Sequence, residues 1–265
     1  MAKLIETQIQ QGVATLTFNR PNALNALNTS MAVELALQLE NATKRADVHV
    51  IVMTGAGRAF MAGGDVHAMR DALDERPAER KRQIGRLVLH AQLCVRTIVR
   101  SRKPIMACVN GVAAGFGLSL AAACDVVIAA EHATFASAYS RIGTSPDGGS
   151  TFTLPQALGK RRAAQWLYFG EQYSAAEALQ MGLVNWVVPA SELAIATQNR
   201  VSQLMALSSN AFGETKVLLS GAEKRSLDEQ LIAEQRSFLA CTEHDEFHEG
   251  VDAFVNRRSP IFRAR

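Results

Sequence analysis

The sequence predicts an α/β fold built on a largely parallel sheet. Three observations carry this: short runs that are apolar on both strand faces, helix-favouring stretches between them, and glycine-rich turns where a strand gives way to a helix. Residues 4–10 and 13–18 flank Gln11-Gly12 and predict a hairpin of two strands. Thr29 or Ser30 is then expected to cap a helix carrying Met31, Leu35, Leu37 and Leu39, and residues 48–53 read as a buried strand. That strand leads into the loop TGAGRAFMAGGD. A charged helical stretch over residues 65–102, punctuated by Pro77, follows it. Pro104 opens a strand at 105–109, residues 110–120 read as a glycine turn running into a buried helix, and 125–129 form a further strand. From about Thr151 the pattern is helical, with only residues 184–188 reading as a strand. The expected organisation is an α/β core over residues 1–200 and a helical unit, polar on one face, over 201–265; there is no repeat in the sequence.

With 265 residues, 48% of them hydrophobic, the chain can bury a core without metal or disulfide staples. Lys and Arg number 28 against 25 Asp and Glu, scattered without a long like-charge block, which speaks against nucleic-acid and membrane-surface binding. Cys94, Cys108, Cys124 and Cys241 are far apart in apolar surroundings and read as reduced core thiols. The segment MAKLIETQIQ lacks the apolar core and cleavage site of a secretory signal, so a cytoplasmic protein is expected. The apolar stretch 105–130 is long enough to span a bilayer, but Asn110, Asp125 and three glycines divide it.

Two loops carry the first chemical signal. AGGD (62–65) and NGVAAGFGLSL (110–120) each take the chain from a strand through glycines into a helix, an arrangement that aims bare amide N–H groups at a carbonyl oxygen. His244 and His248 have metal-like spacing among Glu243, Asp245, Glu246 and Glu249, which reads first as a solvated helix face. Arg20, Arg58 and Lys103 are candidate phosphate contacts that read first as solvated cations.

NRPNALNAL (19–27), FMAGGD (60–65), NGVAAGFGLSLAAACDVVIAA (110–130), FASAYSRIGTSPDGGST (135–151), SAAEALQMGLVNWVVP (174–189) and FVNRRSPIF (254–262) together resemble the enoyl-CoA hydratase/isomerase, or crotonase, superfamily, in order and over nearly the whole chain. The resemblance implies a spiral core of ββα repeats with a C-terminal trimerisation unit. It also implies a homotrimer or dimer of trimers acting on an acyl-CoA thioester, with coenzyme A as part of the substrate and no separate cofactor. By motif position, the N–H groups of Gly64 and Phe116 would form the family's oxyanion hole, while Ala23, Leu24, Ala62 and Asp65 would lie around the substrate.

Hydratases of this family activate water with two glutamates, and those positions here are Ser119 and Tyr139. Neither is a carboxylate, so a 2-enoyl-CoA hydratase is disfavoured. Asp147, in SPDGG, resembles the single acid of the family's enoyl-CoA isomerases, with Ser119 and Tyr139 shaping the acyl pocket. The expected activity is therefore a shift of a 3-enoyl-CoA double bond to the 2-position, with Asp147 as proton shuttle. An aryl-CoA dehalogenase with Asp147 as nucleophile, a ring-oxepin-type isomerase and a non-catalytic acyl-CoA binder are the alternatives. The dehalogenase's auxiliary histidine falls on Gln92, with His90 close by. Pro-Asp-Gly is also a strong turn sequence in its own right.

Overall fold

The computed structural model describes residues 3–262; the first two residues of the MAKLIETQIQ segment and the last three of the C-terminal unit lie outside the described residues. The chain runs β1 (Ile5–Gln10), β2 (Val13–Phe18), α1 (Thr29–Lys44), β3 (Val50–Gly55), β4 (Ala59–Met61), α2 (Val66–Asp71), α3 (Pro77–Arg100), β5 (Ile105–Val109) and β6 (Val112–Ala114). It continues through α4 (Phe116–Ala123), β7 (Val126–Ala130), β8 (Thr134–Ala136), α5 (Ser150–Leu158), α6 (Lys160–Phe169), β9 (Gln172–Ser174), α7 (Ala175–Met181) and β10 (Trp186–Val188). Four helices, α8 (Leu193–Met205), α9 (Ser209–Ala222), α10 (Leu227–Thr242) and α11 (Asp245–Val255), complete it.

The expected hairpin is present, with Ile5 opposite Phe18 and Gln10 opposite Val13. It begins a six-stranded sheet of order β1-β2-β3-β5-β7-β10, parallel throughout except for β1. A second sheet, β4-β6-β8-β9, is parallel except where β9 joins. The sequence pattern misses this sheet, and the expectation of one strand after residue 151 is corrected by β9; four strands of three residues each show no periodicity. The two sheets arise together. Three times in succession a long strand joins the large sheet, a three-residue strand joins the small one, and a helix follows: β3-β4-α2, β5-β6-α4, β7-β8-α5. These are the ββα turns of the expected spiral.

Strand periodicity divides the core. Ile51 and Met53, Ile105, Ala107 and Val109, and Val127 and Ala129 face the large core shared with α1, α3 and α4. Their alternates, Val50 and Val52, Met106 and Cys108, and Ile128 and Ala130, pack against Leu193 and Val201 of α8. Burial of both faces explains why these strands read as continuous apolar runs. Helix α8 crosses residue 200, so the sheet-facing helix ends at Met205 within the second of the two expected units.

Helix starts account for most remaining departures. Asn28, rather than Thr29 or Ser30, caps α1: its backbone is extended and its side chain accepts the Met31 N–H at 2.9 Å. Leu37 faces solvent while Met31, Leu35 and Leu39 are buried. Pro77 sits in the first turn of α3, where its missing N–H costs nothing. His244 is the N-cap of α11, its ring accepting the Glu246 N–H, which removes it from the helix face expected to hold it with His248. Among the described residues no group of three potential ligands could hold a metal, and no helix is long and apolar enough to cross a membrane.

Both edges of the large sheet are occupied by guarded strands. At β1 the Glu34 carboxylate accepts the N–H groups of Leu4 and Ile5, each at 3.2 Å. At the other edge β10 has three residues, and the Arg200 guanidinium lies 4.4 Å from the Trp186 ring centre. The C-terminal helices are fixed to the core by Lys216, whose ammonium reaches Asp125 at 2.8 Å and the Ile98 carbonyl at 2.9 Å. Phe254, at 86% exposure, and Leu219, Leu227 and Phe238 leave much of their apolar surface open.

Candidate active site

The first loop follows β4. Leu27 pairs across it: its N–H donates to the Gly63 carbonyl at 2.7 Å, and its carbonyl accepts the Asp65 N–H at 3.0 Å. Gly64 lies between these two bonds, so its own N–H faces away from Leu27. Asn25, fully buried, braces the strand before the loop by donating to the Ala56 and Ala59 carbonyls. The Leu24 carbonyl accepts the Ala62 N–H at 3.0 Å, which sets the Ala23-Leu24 turn beside Ala62.

Asp65 caps α2 through the Ala68 N–H and pairs with Arg20 at 2.8 Å, while Arg20 also donates to the Ala26 carbonyl. Burial works to raise the Asp65 carboxyl, but Arg20 and the helix amides outweigh it and hold the group below its ordinary range. Arg20 is thus engaged in bracing the first loop rather than standing as a solvated cation. Sequence reasoning missed this pair, 45 positions apart.

The second loop leaves β6 through Gly115, whose φ of +49° suits glycine and whose N–H donates to the Ala136 carbonyl at 2.9 Å. Phe116 is the first residue of α4, so its N–H has no acceptor in its own helix. The two loops touch: a Cβ added at Gly115 would stand 3.4 Å from the Gly63 Cα. Gly64 and Phe116 each follow the touching glycine directly, and among the described residues neither N–H donates a backbone hydrogen bond.

Asp147 belongs to a third loop, laid over the start of α4. Gly148 (φ +59°) lies so close that a Cβ there would be 2.8 Å from the Phe116 ring and 2.9 Å from the Ser119 Cβ. The Ser119 Oγ lies 3.1 Å from the Asp147 carbonyl and 2.9 Å from the Tyr139 hydroxyl. The Tyr139 hydroxyl donates to Asp147 Oδ1 at 2.5 Å. Ser119 is fully buried and Tyr139 nearly so, while Asp147 is half-buried. Burial raises the Asp147 carboxyl, offset only in part by the Tyr139 hydroxyl and the loop backbone. Burial, together with the neighbouring Asp147, raises the Tyr139 phenol as well, so it remains neutral at physiological pH.

The structure therefore brings together Ser119, Tyr139 and Asp147, and sets Gly64, Ala62, Asp65 and Phe116 in two adjoining loops with the Ala23-Leu24 turn beside the first. Other candidates are engaged elsewhere or exposed. Gln92 is exposed on α3, and the His90 ring bonds to the Arg86 carbonyl of its own helix. Lys103 donates to the Ala42 and Arg45 carbonyls.

This architecture has known counterparts. The enoyl-CoA hydratase/isomerase family model matches residues 8–265, and the chain belongs to that family, an enzyme family acting on acyl-CoA thioesters. Among curated relatives, the 1,2-epoxyphenylacetyl-CoA isomerase of Escherichia coli is 35% identical over all of both chains. The 2,3-dehydroadipyl-CoA hydratase of the same organism is also 35% identical over all of both. Among solved structures, an enoyl-CoA hydratase from Polaromonas sp. JS666 superposes with a TM-score of 0.91 at 32% identity, covering 98% of this chain and 99% of its own. Relatives of equal identity thus carry different activities, and the side chains at the site have to distinguish them.

Proposed function

We propose that this protein shifts the double bond of a 3-enoyl-CoA to the 2-position through an enolate. The thioester oxygen accepts the N–H groups of Gly64 and Phe116. Asp147 takes a proton from C2, the dienolate is held by those two donors, and the same carboxyl returns the proton at C4. Coenzyme A enters as part of the substrate. Losing one such donor would remove about 2.7–4 kcal/mol of transition-state stabilisation.

The observation that carries this reading is the make-up of the group over α4: one carboxylate and two hydroxyls. Water activation by paired carboxylates has no second member here, whereas a one-base proton shuttle needs none. A carboxyl raised by burial is suited to both taking and returning a proton. The exposed apolar side chains of α9, α10 and α11 support a homotrimer or dimer of trimers, and we place the enzyme in the cytoplasm.

A second reading, a ring-oxepin-type isomerase acting on an epoxidised aryl-CoA, is favoured by the name of one full-length relative and uses the same base. The dehalogenase reading is weaker, since its auxiliary histidine is replaced by Gln92 and the His90 ring is engaged with the Arg86 carbonyl.

The test incubates the purified protein with a 3-enoyl-CoA, a 2-enoyl-CoA and an aryl-CoA epoxide, following products by chromatography and mass. Conversion of the 3-enoyl compound without change of mass is expected, falling about 10²–10⁴-fold in Asp147→Asn. Water addition to the 2-enoyl compound, or an equally active Asp147→Asn, would overturn the proposal. An inert protein that still binds thioesters would establish the non-catalytic binder instead.

A further inference from the structure

We infer that Ser119 and Tyr139 form a positioning relay that makes Asp147 a single-oxygen base, with Tyr139 holding Oδ1 and leaving Oδ2 alone to exchange protons with the substrate. This rests on Asp147 being the base.

Proton counting on the observed geometry supports it. Tyr139 has one hydroxyl proton, and the carboxylate oxygen at 2.5 Å is its strongest acceptor. Its oxygen is then free to accept, and the Ser119 Oγ lies 2.9 Å away with one proton to give. The other acceptors within reach of the Ser119 hydroxyl serve it less well: the Asp147 carbonyl, at 3.1 Å, already takes both the Ser150 N–H at 3.3 Å and the Ser150 hydroxyl at 3.2 Å, and the Gly115 carbonyl, which takes the Ser119 N–H, is 3.3 Å away. The chain therefore runs Ser119 to Tyr139 to Asp147 Oδ1. Ser119 and Tyr139 are buried, so water does not compete for these bonds.

Two consequences follow for the proton shuttle. A carboxyl tied at one oxygen cannot turn over between the two transfers, so the proton leaves C2 and arrives at C4 by way of Oδ2, on one face of the substrate. When Oδ2 carries the proton, the Tyr139 bond to Oδ1 persists toward a neutral acceptor, so the relay favours the ionised form and the waiting base.

The test compares Tyr139→Phe, Ser119→Ala and Asp147→Asn with the wild type. One readout is the titration of the Asp147 carboxyl by carbon NMR of aspartate-labelled protein, the resonance being identified by its loss in Asp147→Asn. The other is the acid limb of the kcat/KM profile. A hydrogen bond to a charged group is large enough that its loss in Tyr139→Phe should move the titration up by about one to two pH units. The acid limb should follow it. Ser119→Ala should move both the same way by less, and serves alone if Tyr139→Phe does not fold. An unmoved titration with an inactive Asp147→Asn would overturn the relay while leaving the base in place. A fully active Asp147→Asn would overturn both.

Discussion

Replacing Lys216 by Met should loosen the C-terminal helices from the core. Lys216 projects from α9 into a site where Asp125 Oδ2, the Ile98 carbonyl and the Lys103 carbonyl receive its ammonium at 2.8, 2.9 and 3.4 Å. The two side chains are only 10% and 19% exposed. Asp125 in turn accepts the Ile105 N–H at 2.7 Å, at the first residue of β5. Methionine fills similar volume but strands the carboxylate with one backbone donor. Removing one partner of a buried pair costs about 3–5 kcal/mol, and the residual exposure here argues for the lower end, about 3 kcal/mol at pH 7. Burial raises the Asp125 carboxyl and Lys216 pulls it back, so without Lys216 it rises further. As pH falls through that raised value the carboxyl takes a proton and the stranded charge disappears. The deficit should therefore be smaller in acid than at pH 7. Urea unfolding at fixed protein concentration measures both points, and Asp125→Asn/Lys216→Met should recover part of the loss, giving the coupling by a double-mutant cycle. A Lys216→Met variant as stable as wild type at pH 7, or a deficit independent of pH, would refute the reasoning.

Asp147→Asn, for all its expected loss of rate, should be more stable than wild type at neutral pH. The folded carboxyl is raised by burial, so folding is weakened once pH exceeds the unfolded value, and the difference in thermal midpoint should close in acid. Asp65→Asn keeps the α2 cap but loses the charge facing Arg20, and should cost about 1.5–3 kcal/mol at neutral pH. The Asp65 carboxyl is depressed in the folded state, so that stability is present above the unfolded value. The gap should vanish as pH falls through the folded one, as read by unfolding at stepped pH.

Legibility in the sequence tracked the length and isolation of each signal. Strand β5 could be read to the residue because Pro104 and Asn110-Gly111 bound an apolar run of strand length. Strands β4, β6, β8 and β9 could not, since three residues cannot display alternation and their partners lie in other turns of the spiral. The ββα repeat is likewise invisible as a sequence repeat, because what recurs is sheet membership rather than residue identity. At the site, the glycine loops were visible as strand-to-helix turns, and Asp147 stood out by its resemblance to one branch of the family. The bond from Tyr139 to Asp147 was not visible. It depends on a 3₁₀ turn at Ser140–Ile142 that folds position 139 back toward 147, and on Gly148 allowing that loop to rest on Phe116. Arg20 and Asp65 carried a faint signal, a cation and an acid each beside a predicted loop, with nothing local to pair them.

The guarded margins of the large sheet restrict how copies of this chain can associate. A bare strand edge invites a neighbour to extend the sheet, and such growth has no natural end. Here Glu34 already satisfies the first amide of β1 and the one before it, the strand beyond carries Glu6, Gln8 and Gln10, and β10 is too short to template a long partner. Strand-by-strand fibre growth is thereby discouraged. The exposed apolar surface of the C-terminal unit is helical instead, and a helix face presents side-chain ridges at fixed angles rather than unpaired backbone groups to extend.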